Sequence, residues 1–410
     1  KDINPSHTTG DVTFPTESAK RIFIGTHSQL FFIANNGSSG YELWRSDGTE
    51  QGTILIKDFV SESGSADYSY FQLVDRELFF IANATGQGFK AWKTNGTLLG
   101  TQTVESINPA LNITNVYPLQ QSFGNFYFTA YAPASGYELY KLTEGAVSLV
   151  KDIKTNGLNN FQDLKKVIEH NEGIFFTFDN GKDGLELWKT DGTQSGTRLF
   201  HDFNPYPLNP LSPYRQHSSF DFYSNSSYFD SEFTSYNNKL YFFANQKLWV
   251  TDGVNAPVIF KDFQTPSYNY RYNLIVYNNT LYFNLGDQLW KTNGTEAGTV
   301  MVKDIETGNS SVPLTNFEVA NNLLFFSGYD QTHGEELWRS DGTPGGTNIV
   351  KELQAGANAY INSYRLRPVG NTLFFTFFDP ILGAELWKTN GTEAGTVMVK
   401  DIYPGVGFSP

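Results

Sequence analysis

Apolar residues in this chain come in short runs, separated by polar stretches rich in Asn, Asp, Gly and Thr. Residues 316–350 show the layout. Asn316-Phe317-Glu318-Val319 leads to a turn at Ala320-Asn321-Asn322, and Leu323-Leu324-Phe325-Phe326 follows. Next come Glu335-Glu336-Leu337-Trp338, an Asp341-Gly342-Thr343 turn, and Thr347-Asn348-Ile349-Val350. These are four short β segments, here named A to D, and no helical period interrupts them. The Asn-Asn turn between A and B suits a tight hairpin, because Asn tolerates the positive φ that such a turn needs. Segment B is apolar at successive positions, as in Leu30-Phe31-Phe32-Ile33 and Leu373-Phe374-Phe375. A continuous apolar run marks a strand covered on both faces.

The C-to-D stretch recurs. Its cleanest copy runs Glu385-Leu386-Trp387-Lys388-Thr389-Asn390-Gly391-Thr392-Glu393-Ala394-Gly395-Thr396, then an alternating strand ending in Lys400-Asp401-Ile402. Its aromatic column falls at Trp44, Trp92, Tyr140, Trp188, Trp249, Trp290, Trp338 and Trp387, successive members lying 48, 48, 48, 61, 41, 48 and 49 residues apart. Periods of roughly 40 to 50 residues include the four-stranded blades of propellers. One such sheet cannot bury both faces alone, whereas sheets set radially cover one another. The expected fold is therefore all-β, an eight-bladed β-propeller with four antiparallel strands per blade. It forms a single domain over 1–410, with blades near 20–59, 71–107, 117–153, 166–203, 233–263, 274–305, 316–353 and 365–402. The aromatic column is expected to be structural, packing between neighbouring blades. Lys1-Asp2-Ile3 looks like a ninth D ending, either the tail of an excised unit or a strand that seals the ring.

The motif E-L-W-x-x-D/N-G-T-x-x-G-T resembles that of the ELWxxDGT-repeat proteins, and the likeness covers nearly the whole chain. That resemblance implies a propeller-like structure in a secreted or cell-surface setting in bacteria. It implies no catalytic residues.

Composition narrows the partners. A net charge of −13 argues against nucleic acid, whose affinity rests on Lys and Arg neutralising phosphates. It also argues against an anionic membrane surface. No apolar run is long enough to span a bilayer, so no membrane insertion is expected. Cysteine is absent, which excludes disulfides and thiol chemistry. A first residue that is not Met reads as a processed or excised piece, part of a longer surface protein or assembly.

Candidate chemistry is sparse. The turn residues Asp47, Asp191, Asp252 and Asp341 are expected to accept backbone N–H groups, with Gly supplying the unusual φ. A structural calcium ion is the one ion these carboxylates would suit. The loops lack the D-x-D-x-D-G ligand series, so no metal site and no cofactor is assigned. The acidic column Asp58, Asp152, Asp202, Asp262, Asp304, Glu352 and Asp401 is read as structural, with the adjacent Lys giving local charge pairing. His7, His27, His170, His201, His217 and His333 fit no catalytic or metal spacing. Nine N-x-S/T sequons occur, at Asn36, Asn83, Asn95, Asn112, Asn225, Asn278, Asn293, Asn309 and Asn390.

Loop aromatics are the remaining signal. The connection at 204–232 breaks the period and carries Tyr206, Tyr214, Phe222, Tyr223 and Tyr228, and residues 266–272 add Tyr268, Tyr270 and Tyr272. Tyr68 and Tyr70 lie in a similar connection. Tyr presents a large amphipathic face at low entropy cost, which suits recognition of a glycan or a protein. The reading is a non-enzymatic extracellular binding or structural module that recognises glycan or protein through loops of one face. The alternative is a polysaccharide lyase or hydrolase with its site at the central channel mouth.

Overall fold

In the computed structural model, the described residues are 24–25, 29–36, 38–60, 66–74, 77–83, 90–122, 125–143, 146–153, 164–179, 185–203, 233–244, 247–263, 272–306, 312–353, 366–379 and 383–400. The protein is nearly all-β. Among the described residues the strands form eight sheets of four strands each, in the simple order A-B-C-D. The sheets span residues 24–57, 67–103, 114–151, 164–201, 234–262, 274–304, 315–349 and 367–400. Strand A therefore starts earlier than expected in the second sheet, at Asp67, and in the third, at Thr114. One helical turn, Val104–Ile107, also departs from the all-strand reading. Thr103 caps it by accepting the Ser106 N–H, and a 3₁₀ turn at Pro109–Leu111 follows.

The internal packing divides the chain into two compact units, residues 1–200 with 206–211, and residues 201–205 with 212–410. Four sheets belong to each, save that His201 at the end of the fourth sheet falls in the second unit. Within each unit the apolar core lies between successive sheets. Phe31, Leu43, Tyr68, Phe80 and Trp92 fill one such layer, and Tyr277, Val302, Phe326 and Trp338 another.

Register follows the repeat. On strand B a buried Phe faces the aromatic column of strand C every time: Phe32 opposite Trp44, Phe80 opposite Trp92, Phe128 opposite Tyr140, Phe176 opposite Trp188. Phe242, Phe283, Phe326 and Phe375 do the same for Trp249, Trp290, Trp338 and Trp387. Such cross-strand aromatic pairs each contribute about 0.2–1 kcal/mol beyond Ala pairs. The C–D pairing slips by one residue beside the aromatic in five sheets, for example between Leu43 and Trp44 and between Leu289 and Trp290. A bulge there re-aims the strand ending that follows. At the A–B hairpins both Asn237 and Asn238, Asn278 and Asn279, and Asn321 and Asn322 have positive φ, as their residue type allows.

Candidate functional site

The repeat builds two polar devices, and each can be assembled from its residues. The first is the D/N-G-T corner. In the seventh sheet Asp341 Oδ1 accepts the Thr343 N–H at 2.8 Å and the Thr343 hydroxyl at 2.7 Å. Thr343 Oγ1 in turn accepts the Gly346 N–H at 3.0 Å. The Thr347 hydroxyl donates to the Thr343 carbonyl and meets Ser340, whose Oγ accepts the Gly342 N–H. Gly342 has φ +89, and a Cβ on Gly346 would overlap the Asp341 carboxylate. Both glycines of the motif are thus dictated by the turn. The corners at Asp47, Asn95, Asp191, Asn293 and Asn390 repeat these bonds. Only one side-chain oxygen is used, which explains why Asn and Asp alternate. Asp252 lacks the Thr and uses Asn255 instead, accepting its backbone N–H at 2.7 Å. The Thr hydroxyl bonds hold Asp47, Asp191 and Asp341 below the usual carboxylate range, and the Asn255 N–H leads in taking Asp252 down to about 2.

The second device is the start of the D–A connection. Glu42, Glu138 and Glu336 on strand C are fully buried. Their carboxylates accept the backbone N–H of Phe59 at 3.2 Å, Ile153 at 2.6 Å and Leu353 at 3.1 Å. A buried N–H must find such an acceptor. Where strand C carries Lys247 or Gln288 in place of Glu, the side chain turns to the acidic column instead. Lys247 pairs with Asp262 at 2.8 Å, and Gln288 donates to Asp304 at 3.3 Å.

Three of the Lys residues that precede the acidic column reach the next sheet rather than their neighbour in sequence. Lys151 donates to the Thr197 carbonyl at 2.6 Å, Lys303 to Thr347 at 3.0 Å and Lys351 to Thr396 at 3.1 Å. The expected local pairing of Lys with the adjacent carboxylate is therefore corrected: the bulge points the Lys across the gap. Lys57 lies 4.6 Å over the Trp92 ring, and Phe59 meets the same ring edge-on at 4.9 Å. In the second unit His201 and Phe203 pack on Trp249 in the same way.

The aromatic column lies inside these contacts. Trp44, Trp92, Tyr140, Trp188 and Trp338 are buried, and Trp249, Trp290 and Trp387 half-buried. Trp44 and Trp338 donate their ring N–H to the carbonyls of Ala34 and Gly328.

The loop candidates fare differently. Tyr206, Tyr214, Phe222, Tyr223, Tyr228, Tyr268 and Tyr270 lie outside the described residues, as do Tyr70's side chain and Lys1–Ile3. Tyr272 is not offered to a ligand: it is buried and stacks on Phe243 at 4.0 Å. Tyr68 is buried as well, and its hydroxyl donates to Glu42 at 2.6 Å. Both sit where a connection enters the next sheet, so core packing claims them. His333 forms a pair with Asp330 at 2.8 Å, and that hydrogen bond raises its pKa, whereas burial lowers that of His201. Among the described residues no three His, Asp or Glu side chains come together as a metal site. Among the same residues no helix is long and apolar enough to cross a membrane.

The buried Glu column is the feature that sequence reading missed. Its signal was the repetition of Glu two residues before the aromatic column, at Glu42, Glu138, Glu186, Glu336 and Glu385.

No family model and no curated protein matches this chain. Among solved structures it is similar to a prolyl endopeptidase, with TM-score 0.45 and 10% identity over 81% of this chain and 49% of that one. Prolyl oligopeptidase B from Galerina marginata gives TM-score 0.42 and 12% identity, over 82% of this chain and 51% of that one. Oligopeptidase B from Leishmania major gives 0.42 and 10%, over 84% and 50%. The chain thus spans about half the length of these proteins. The expectation of a non-enzymatic binding or structural module is corrected to this extent: the solved structures that this chain is similar to do not point to one.

Proposed function

We propose that the chain is an eight-bladed β-propeller that serves as the propeller part of a peptide-processing enzyme, admitting and holding the substrate. The reacting groups lie in a companion domain rather than in this chain. One observation carries this reading. The polar residues of the repeat are committed to its own construction: Asp and Thr close the corner, Glu holds the connection, and Lys reaches the next sheet. A body built this way positions other groups without supplying chemistry from its motif. The ELWxxDGT likeness belongs to this reading as a description of the blades.

Pro-containing oligopeptides, the substrate class named by the similar structures, are the first probe. Calorimetry and mass spectrometry on the full chain should find peptide bound and left intact. Turnover by the chain itself would place the reacting groups inside it and overturn the division of labour. Failure to bind any peptide would overturn the substrate-holding role. A ring image with seven or nine sectors would break the blade count.

A further inference from the structure

The chain holds two methionines, Met301 and Met398, and the fold gives both the same position. Each lies on strand D, the last strand at the edge of its sheet. Met301 is paired directly opposite Trp290 in the sixth sheet, and Met398 opposite Trp387 in the eighth. Directly opposed residues of an antiparallel pair share one face. Packing in the sixth sheet agrees. Val302 belongs to the layer with Phe326 and Trp338, whereas Trp290 packs with Phe243 and Phe283. Met301, next to Val302, therefore emerges on the side of Trp290.

The rings behind the methionines are among those that the fold leaves within reach of solvent. Trp249, Trp290 and Trp387 are half-buried, while Trp44, Trp92, Tyr140 and Trp338 are buried. The four buried rings face Leu55, Thr103, Leu149 and Ile349. Methionine thus stands before two of the three half-buried rings and before none of these four. The third, Trp249, has Ile259. Met301 is exposed and Met398 half-buried, so both thioethers are open to a small solute. In a chain without cysteine, thioether and indole are the groups most open to oxidation, and the thioether yields a sulfoxide.

We propose that Met301 and Met398 are oxidant traps, each consuming a two-electron oxidant of the hypochlorous-acid class before it reaches the tryptophan behind. In that step the sulfur gains one oxygen and gives up two electrons. The O–Cl bond breaks, and chloride and a proton leave. The two products differ in what they do to the sheet. A sulfoxide is polar, but at a side chain that already reaches water it needs no buried room, so the packing stands. An oxidised indole would lose the stack of Trp290 on Phe283 and the edge contact of Trp387 with Phe377. Isoleucine covers a ring without reacting, which makes Trp249 the untrapped member of the set.

Stepwise addition of hypochlorous acid to the full chain, read by peptide mass spectrometry, tests the assignment. Met301 and Met398 should each gain one oxygen before any appears on Trp290 or Trp387, with the melting temperature unchanged at that stage. In the double variant Met301→Leu with Met398→Leu, both rings should take up oxygen at a several-fold lower dose, while Trp249 keeps its own. Leucine already stands opposite Trp44 and Tyr140, so the fold accommodates it there. Ile259→Met is the converse variant, and should raise the dose that oxidises Trp249 several-fold. The proposal is overturned if the tryptophans react while the methionines stay intact, or if the double variant leaves their dose in place. A fall in melting temperature after one oxygen on each methionine would overturn it too. An Ile259→Met chain whose Trp249 gains no protection would equally show that a thioether at this register screens nothing.

Discussion

The sixth and seventh sheets solve one problem in two ways. In the seventh, Glu336 lies fully buried on strand C and takes the N–H of Leu353 at 3.1 Å. In the sixth, Gln288 stands in that place, and the turn before it has shrunk to Gly286 and Asp287. There the N–H of Ile305 goes to the Asp287 carbonyl at 3.3 Å, and that of Leu314 to the Gly286 carbonyl at 2.9 Å. The Trp ring follows suit, Trp338 donating to the Gly328 carbonyl and Trp290 to the Gln288 side chain. What the two sheets share is the demand, a buried N–H at the start of the connection. The supplier is free to be a carboxylate or a tight turn. The repeat is therefore a set of hydrogen-bond obligations more than a set of letters.

Substitutions can break or sharpen this comparison. The largest effect is expected at the aromatic column. Trp338→Ala should destabilise by roughly 3–5 kcal/mol. Trp290→Ala, at a half-buried ring, should destabilise less. Denaturant melts of the two variants check the order, and equal losses would mean that the sheets are packed alike.

Next come the corner glycines of the seventh sheet. Gly346→Ala drives a methyl into Asp341, whereas a Cβ on Gly345 meets nothing within 4 Å. The first should cost about 1–3 kcal/mol as overpacking. The second should stay within about 0.5 kcal/mol. Thermal melts separate them.

The acceptors themselves give a third contrast. Glu336→Ala strands the Leu353 N–H and should cost roughly 1–3 kcal/mol. Gln288→Ala should cost clearly less, since backbone carbonyls already hold Ile305 and Leu314. Amide exchange at Leu353 and Ile305 reads the difference site by site.

A fourth concerns pH. Burial raises Asp287 to about 6, with Asp304 and Glu306 adding to it. The folded value is raised, so its contribution is present below the ordinary 3.8 and is lost as pH rises through about 6. Asp287→Asn should flatten the melting temperature across that window. The smallest effect is expected for Asp341→Asn, within about 0.5 kcal/mol near neutral pH, since Asn293 makes the same bonds in the sixth sheet. A larger loss would show that the charge, and not the oxygen, holds the corner.

Much of the fold was legible in the residues because its causes are local. The Asn-Asn hairpins, the Asp-Gly-Thr corner and the alternation that aligns Phe326 with Trp338 involve residues a few places apart or paired by a short turn. Period and turn chemistry suffice for those. The helical turn at Val104–Ile107 escaped notice because it depends on a single Thr cap. The site was less legible. The loop aromatics stand out by residue type alone, yet Tyr68 and Tyr272 are packed between strands.

Sequence alone therefore determined the strands, their turns and their register, since short-range sterics and hydrogen bonds set all three. Tertiary structure decided which polar groups are tied, and to what. The partner of Glu42 lies 17 residues on at Phe59 and 26 at Tyr68, and that of Lys151 lies 46 residues on at Thr197. A carboxylate beside a Trp reads as surface charge until the next sheet covers it. Only that burial turns it into an acceptor for a distant N–H.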